Sequence, residues 1–69
     1  MESVAIKSRI IVAMQYDRAQ QYLSLEFKNG EHRLFAGVPR RVVMRMARAE
    51  SPGEYYIANV RARFTQIYT

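Results

Sequence analysis

Apolar and polar residues alternate from Leu23 to Phe27, and after Asn29-Gly30 a second short strand pattern runs on to Val38-Pro39. Side chains of a strand point to opposite faces in turn, so this pattern predicts two antiparallel strands joined at Asn29-Gly30. Asn-Gly tolerates the positive φ values of a two-residue type I′ turn, and such a turn sets a register. Lys28 then faces Glu31, and the pairs run Phe27 with His32, Glu26 with Arg33, Leu25 with Leu34 and Ser24 with Phe35. Leu23, Leu25, Phe27 and Leu34 fall on one face, the expected core. The opposite face carries the charge pairs Glu26 with Arg33 and Lys28 with Glu31, together with Phe35.

Upstream, residues 1–8 read as a lead-in, and Arg9 to Tyr16 is rich in β-branched side chains and predicts a strand. A four-residue loop at Asp17-Arg18-Ala19-Gln20 pairs Tyr16 with Gln21 and sets Met14, Val12 and Ile10 beside Leu23, Leu25 and Phe27. The result is a three-stranded antiparallel meander with one apolar face. Its second face exposes Ile11, Ala13, Tyr22 and Phe35, and a bulge near Ile10-Ile11 would change that assignment.

Past Pro39 the period changes. Pro39 suits a helix entry because its missing N–H costs nothing in the first turn. From Arg40 to Glu50 the pattern is helical, with Val43, Met46 and Ala47 on one side and Val42 and Ala49 flanking them. Ser51-Pro52-Gly53-Glu54 has the form of a capping box and predicts a second short helix through about Val60, with Tyr55, Tyr56, Ile57 and Val60 supplying apolar surface. Arg61-Ala62-Arg63-Phe64 then leads into a C-terminal strand over residues 65–69. The expected architecture is α+β, a three-stranded antiparallel meander followed by an α-helix, a second short helix and that last strand, in one domain spanning residues 1–69.

Charge changes this picture more than composition does. Residues 1–32 carry Lys7, Arg9, Arg18 and Lys28 against Glu2, Asp17, Glu26 and Glu31 and are neutral. Residues 33–69 hold Arg33, Arg40, Arg41, Arg45, Arg48, Arg61 and Arg63 against Glu50 and Glu54, which supplies the whole net charge of +5. Arg41, Arg45 and Arg48 recur at i, i+4 and i+7, so they form one stripe opposite Val43, Met46 and Ala47. Neighbouring like charges on a helix repel by a few tenths of a kcal/mol per pair, which argues for an anionic partner. The plainer reading is a solvated face whose arginine stems cover apolar surface.

The chain of 69 residues has no cysteine, so neither disulfides nor a thiolate metal site is available. A domain of this size buries only roughly 60% of its unfolded surface, which leaves little room for an enclosed active site. The longest apolar run, Ile10 to Met14, is too short for a membrane span or a signal-peptide core. A cytoplasmic protein with no membrane association is expected.

Several segments, taken in order, resemble the KTSC domain. They are Ile6-x-Ser8, Ile11, Tyr16-Asp17, Leu-x-Leu-x-Phe at residues 23–27, Gly30, Val38-Pro39, Ala49-x-Ser51-x-Gly53-x-Tyr55-Tyr56 and Asn59-Val60-Arg61-x-Arg63-Phe64. That module is found in bacteria and phages, at the C-terminus of some lysyl-tRNA synthetases and as a free-standing protein. The resemblance covers nearly the whole chain; the family's function is not established, and RNA binding is what has been suggested for it. The sequence departs from the family's pattern at Arg9, where a serine is usual, and at Arg33-Leu34-Phe35, where the family has Tyr-x-Tyr.

Catalytic chemistry finds no foothold in the residue pattern. His32 is the sole histidine and has no second histidine or cysteine with which to ligate a metal. Asp17 is the sole aspartate and falls in a turn, where such residues bond locally. Gly30, Gly37 and Gly53 lack phosphate-loop spacing. Neither Ser8 nor Ser51 has a histidine nearby in the chain. A non-enzymatic module without metal or cofactor is therefore expected, one that captures nucleic acid, RNA in preference, through Arg41, Arg45 and Arg48 joined by Arg61, Arg63 and Arg33, with Phe35 and Tyr22 as stacking groups. The alternative is a protein-interaction module whose arginine stripe docks an acidic partner.

Overall fold

The computed structural model describes residues 1–67. Five strands form one antiparallel sheet in chain order: β1 (Glu2–Ser3), β2 (Ile11–Asp17), β3 (Tyr22–Phe27), β4 (His32–Ala36) and β5 (Thr65–Ile67). Between β4 and β5 the chain forms α1 (Arg40–Arg48), α2 (Pro52–Tyr55) and a π-helical continuation, Tyr56–Arg61. The class is α+β as expected, with two more strands than the predicted meander. One of these is the anticipated C-terminal strand, ending at Ile67 among the described residues; 68 and 69 lie outside them. The other is β1, which arises from the supposed lead-in when Glu2 and Ser3 pair with Tyr16 and Gln15 and the Val4 amide donates to the Met14 carbonyl. Val4 and Ile6 then pack on the core.

The β3–β4 hairpin forms at the predicted place but one residue out of the predicted register. Leu23 faces Phe35, Ser24 faces Leu34, Leu25 faces Arg33 and Glu26 faces His32. Its loop is three residues long, not two. The Gly30 amide donates to the Phe27 carbonyl, the Glu31 amide donates to Asn29 Oδ1, and Gly30 alone carries a positive φ, +90°. A type I′ turn needs positive φ at both central residues, which Asn29 does not supply. A one-residue slip moves every side chain of a strand to the other face. Phe35, expected outside, is therefore buried at 1% exposure, while Leu34, expected inside, is only half-buried. The slipped register lets Phe35 meet Tyr56 edge to face, with ring centroids 5.8 Å apart, a geometry worth about 0.5–1.5 kcal/mol beyond burial.

The β2–β3 pairing is also shifted. Asp17 faces Tyr22 and Tyr16 faces Leu23, so the loop is Arg18–Gln21. Asp17 Oδ1 accepts the Ala19 and Gln20 amides, and Gln21 takes a φ of 58°, which removes it from strand geometry. Between Ile11 and Ala13 a bulge makes Val12 the extra residue. Ile11 and Met14 point inward in consequence, whereas Val12 and Ile10, expected in the core, stand 52% and 43% exposed. Bulges re-aim side chains in this way.

Ile11, Met14, Tyr16, Leu23, Leu25, Phe35 and Val38 from the sheet side meet Val43, Met46, Tyr56 and Val60 from the helices in one buried cluster. Ser51 stands at the start of α2 but its side chain makes no capping bond, so the expected capping box is not formed. Beyond Tyr55 the helix widens into π geometry. There Asn59 Nδ2 donates to the Tyr55 carbonyl, which an α-helix would give to a backbone amide four residues on.

At the core's centre the Tyr16 hydroxyl donates to the Val38 carbonyl at 2.5 Å. Burial pushes this phenol above its ordinary value, against the lowering effect of Arg18 and Arg40. A raised value in the fold means that folding favours the neutral phenol. Its contribution is complete below the unfolded value near 10 and is lost as pH climbs through the folded value. Tyr16→Phe should cost about 1–3 kcal/mol at pH 7, because it leaves a buried carbonyl unpaired. In urea titrations from about pH 9 to about pH 11, the gap between wild type and variant should narrow; a constant gap would mean that the hydroxyl does not titrate in the fold.

The hairpin loop makes a second prediction. A Cβ at Gly30 meets nothing within 4 Å, so only the backbone conformation resists substitution. Gly30→Val should lower stability by about 1–3 kcal/mol, while Gly30→Asn should lose less because asparagine tolerates left-handed φ. Equal melting temperatures for both variants and wild type would show that the loop relaxes without cost.

Candidate nucleic-acid interface

Helix α1 is oriented by two buried side chains. Val43 and Met46 lie in the core, and a 3.6-residue period then places Arg41, Arg45 and Arg48 on the exposed side. Pro39 stands at the helix entry in extended conformation, and its carbonyl accepts the Val42 and Val43 amides at 3.0 and 3.4 Å. The helix stops at Arg48, two residues short of the predicted end, because Ala49 turns extended.

That turn brings α2 against the end of α1 and carries Tyr55 to the arginine face. Arg40, Arg41, Met44, Arg45, Arg48, Ala49 and Tyr55 together line an open groove of about 660 Å³. Four guanidinium groups and no carboxylate line it among the described residues. The one ion pair among the described residues lies elsewhere, between Arg33 and Glu31 at 3.0 Å. The groove arginines are thus left with one another and with water.

The helix dipole sharpens the imbalance. Arg45 and Arg48 sit in the last turn, where the partial negative charge favours cations, but Arg40 and Arg41 occupy a first turn that contains no acidic residue. A cation at that end costs typically 0.3–1 kcal/mol. The placement strengthens the positive potential over the groove at some expense to the helix.

The other predicted binding residues are scattered. Arg61 and Arg63 are exposed, at and beyond the end of the π-helical segment, and do not line the groove. Arg33 faces Leu25, not Glu26, and its guanidinium lies 5.6 Å from the centre of the Phe27 ring. The hydrogen bond that it donates to the Glu31 carboxylate pushes its pKa further up. Phe35 cannot stack on a base, because the shifted register buries it against Tyr56. Tyr22 is half-buried in β3 opposite Asp17 and likewise lies apart from the groove. Arg40, Met44 and Tyr55 were missing from the predicted set. Met44 falls within the stripe's own helical spacing and was legible there, whereas Tyr55 arrives only through the packing of α2 on α1. Among the described residues, no three His, Asp or Glu side chains gather to hold a metal.

The family model of the KTSC domain matches residues 7–64. An uncharacterized protein of Stutzerimonas stutzeri (strain A1501) is 34% identical over 56 residues, 81% of this chain and 79% of that one. A crystal structure of a KTSC domain protein from Yersinia pestis superposes with a TM-score of 0.87, covering 99% of this chain and 96% of that one at 20% identity. At that identity the likeness speaks for the fold.

If Arg41 sits in an unfavourable field, removing its charge should help the helix. Arg41→Glu places an acid in the first turn, four residues before Arg45, an order that favours pairing. The melting temperature should rise by several degrees at low salt, since 1 kcal/mol corresponds to about 4–8 °C in a domain of 60–100 residues. The gain should shrink in 1 M salt. A fall in melting temperature would show that Arg41 is satisfied where it is.

Proposed function

For a chain that belongs to the KTSC domain family, we propose the function of a small basic module that captures nucleic acid, RNA in preference, by its phosphates. The observation that carries this reading is the groove of Arg40, Arg41, Arg45 and Arg48 without an acidic residue in its lining. Guanidinium forks pair with phosphate oxygens at two points, and each such contact releases condensed counterions from the strand. Arg61 and Arg63, exposed but outside the groove lining, add to the positive charge that attracts a polyanion. Arg33 contributes less, being engaged by Glu31. With the groove arginines on phosphates and not on base edges, binding depends weakly on sequence. RNA is preferred over DNA because the family is named for lysyl-tRNA synthetases. The module acts by binding and performs no reaction of its own.

Replacing Arg41, Arg45 and Arg48 together by Gln tests this. Glutamine is a good helix former and the three sites are exposed, so circular dichroism should report an unchanged fold. Titrated with labelled single-stranded RNA at several salt concentrations, wild type should show log affinity falling linearly with log salt. The variant should lose roughly two to three units of that slope, about 0.7–0.9 per phosphate contact. Equal slopes would move the contacts to Arg61 and Arg63. Absence of wild-type binding at low salt would end the nucleic-acid reading and leave an acidic protein as the stripe's partner.

A further inference from the structure

We infer that Tyr55 stacks on an unpaired base, so that the arginine groove takes single-stranded nucleic acid and discriminates against duplex. This rests on the phosphate-binding reading above and adds what occupies the space between the arginines. Tyr55 is the aromatic residue that lines the groove, beside Met44 and Ala49. The other aromatics at this end of the core are committed inward. Tyr56 pairs with Phe27 at 5.3 Å and with Phe35 at 5.8 Å.

Tyr55 is also held in place. It packs against the core cluster while remaining half-exposed, its amide donates to the Ser51 carbonyl at 3.0 Å, and its own carbonyl accepts from Asn59. A ring fixed in this way loses little freedom when a base lies on it, and every base has a π-face to offer. A base splayed from a phosphate chain held by Arg41, Arg45 and Arg48 would reach this ring. A duplex keeps its base faces inside the stack, which leaves Tyr55 without a face to stack on. The combination of cations tracking a backbone and an aromatic beside them is the usual composition of a single-strand site.

The test compares three labelled ligands of equal length: oligouridine, an abasic ribose-phosphate strand and an RNA duplex. Wild type should bind oligouridine roughly 5- to 150-fold more tightly than the abasic strand, the range expected for one stacked base. Tyr55→Phe should keep that ratio. Tyr55→Leu retains apolar bulk against the core but has no aromatic face, and it should bring the oligouridine affinity down to that of the abasic strand. Circular dichroism of each variant verifies the fold, and the wild-type ratio of oligouridine to abasic strand tests the inference independently of any variant. Equal binding of oligouridine and abasic strand by wild type, or duplex bound as tightly as oligouridine, would overturn the stacking inference and leave phosphate capture standing. Failure to bind any of the three at low salt would overturn both.

Discussion

Everything in this domain follows from the need to gather its large apolar side chains on one side of a small sheet. Sheet and helices contribute to a single buried cluster, and no polar or charged residue is buried among the described residues. At about 0.8 kcal/mol per buried methylene, this cluster is the main favourable term available to a chain without disulfides. A small domain cannot spare any part of it. Strand registers, the bulge at Val12 and the seating of α1 are each the arrangement that serves this cluster.

The same constraint locates the charge. With Val43 and Met46 drawn inward, the arginines of α1 have only the solvent side to occupy, and the short turn after Arg48 sets Tyr55 beside them. The groove is a by-product of core packing in its position and a departure from electrostatic economy in its content. Cations crowd the positive end of the helix, and the two acidic residues of the following segment, Glu50 and Glu54, line a separate depression with Lys7 and Arg9. A chain under no demand but stability would exchange some of these signs. That imbalance is the physical ground for expecting an anionic ligand.

The interior also contains one specific polar contact that shape alone does not require. Tyr16 reaches from β2 to the Val38 carbonyl and ties the sheet to the segment that enters α1. The Val38 amide is bound in turn by the Gln21 carbonyl. The entry to the arginine helix is thereby fixed at both of its backbone groups, so the direction of α1, and with it the aim of the groove, is coupled to the sheet.

Local chemistry in the sequence determined the elements themselves. Alternation from Leu23 to Phe27, the turn at Asn29-Gly30, the stop at Val38-Pro39 and the helical period from Arg40 are short-range properties of the chain, and each appears where it was expected. The arginine stripe was legible for the same reason, since i, i+4 and i+7 share a face in any α-helix. Register was not local. Asn29-Gly30 serves a two-residue or a three-residue loop, and only the gain of placing Phe35 against Tyr56, from an element some twenty residues away, selects the slip that moves Phe35 inside and Leu34 outward. The bulge at Val12 likewise answers to β3 and the helices, while β1 exists only because β2 offers it an edge. Tyr55 entered the groove through helix-on-helix packing, a contact between elements whose sequence carries no mark of it. Periodicity and turn chemistry act over a few residues and can be read along the chain; the choice of face and the meeting of side chains depend on which arrangement buries the most, and that was decided in three dimensions.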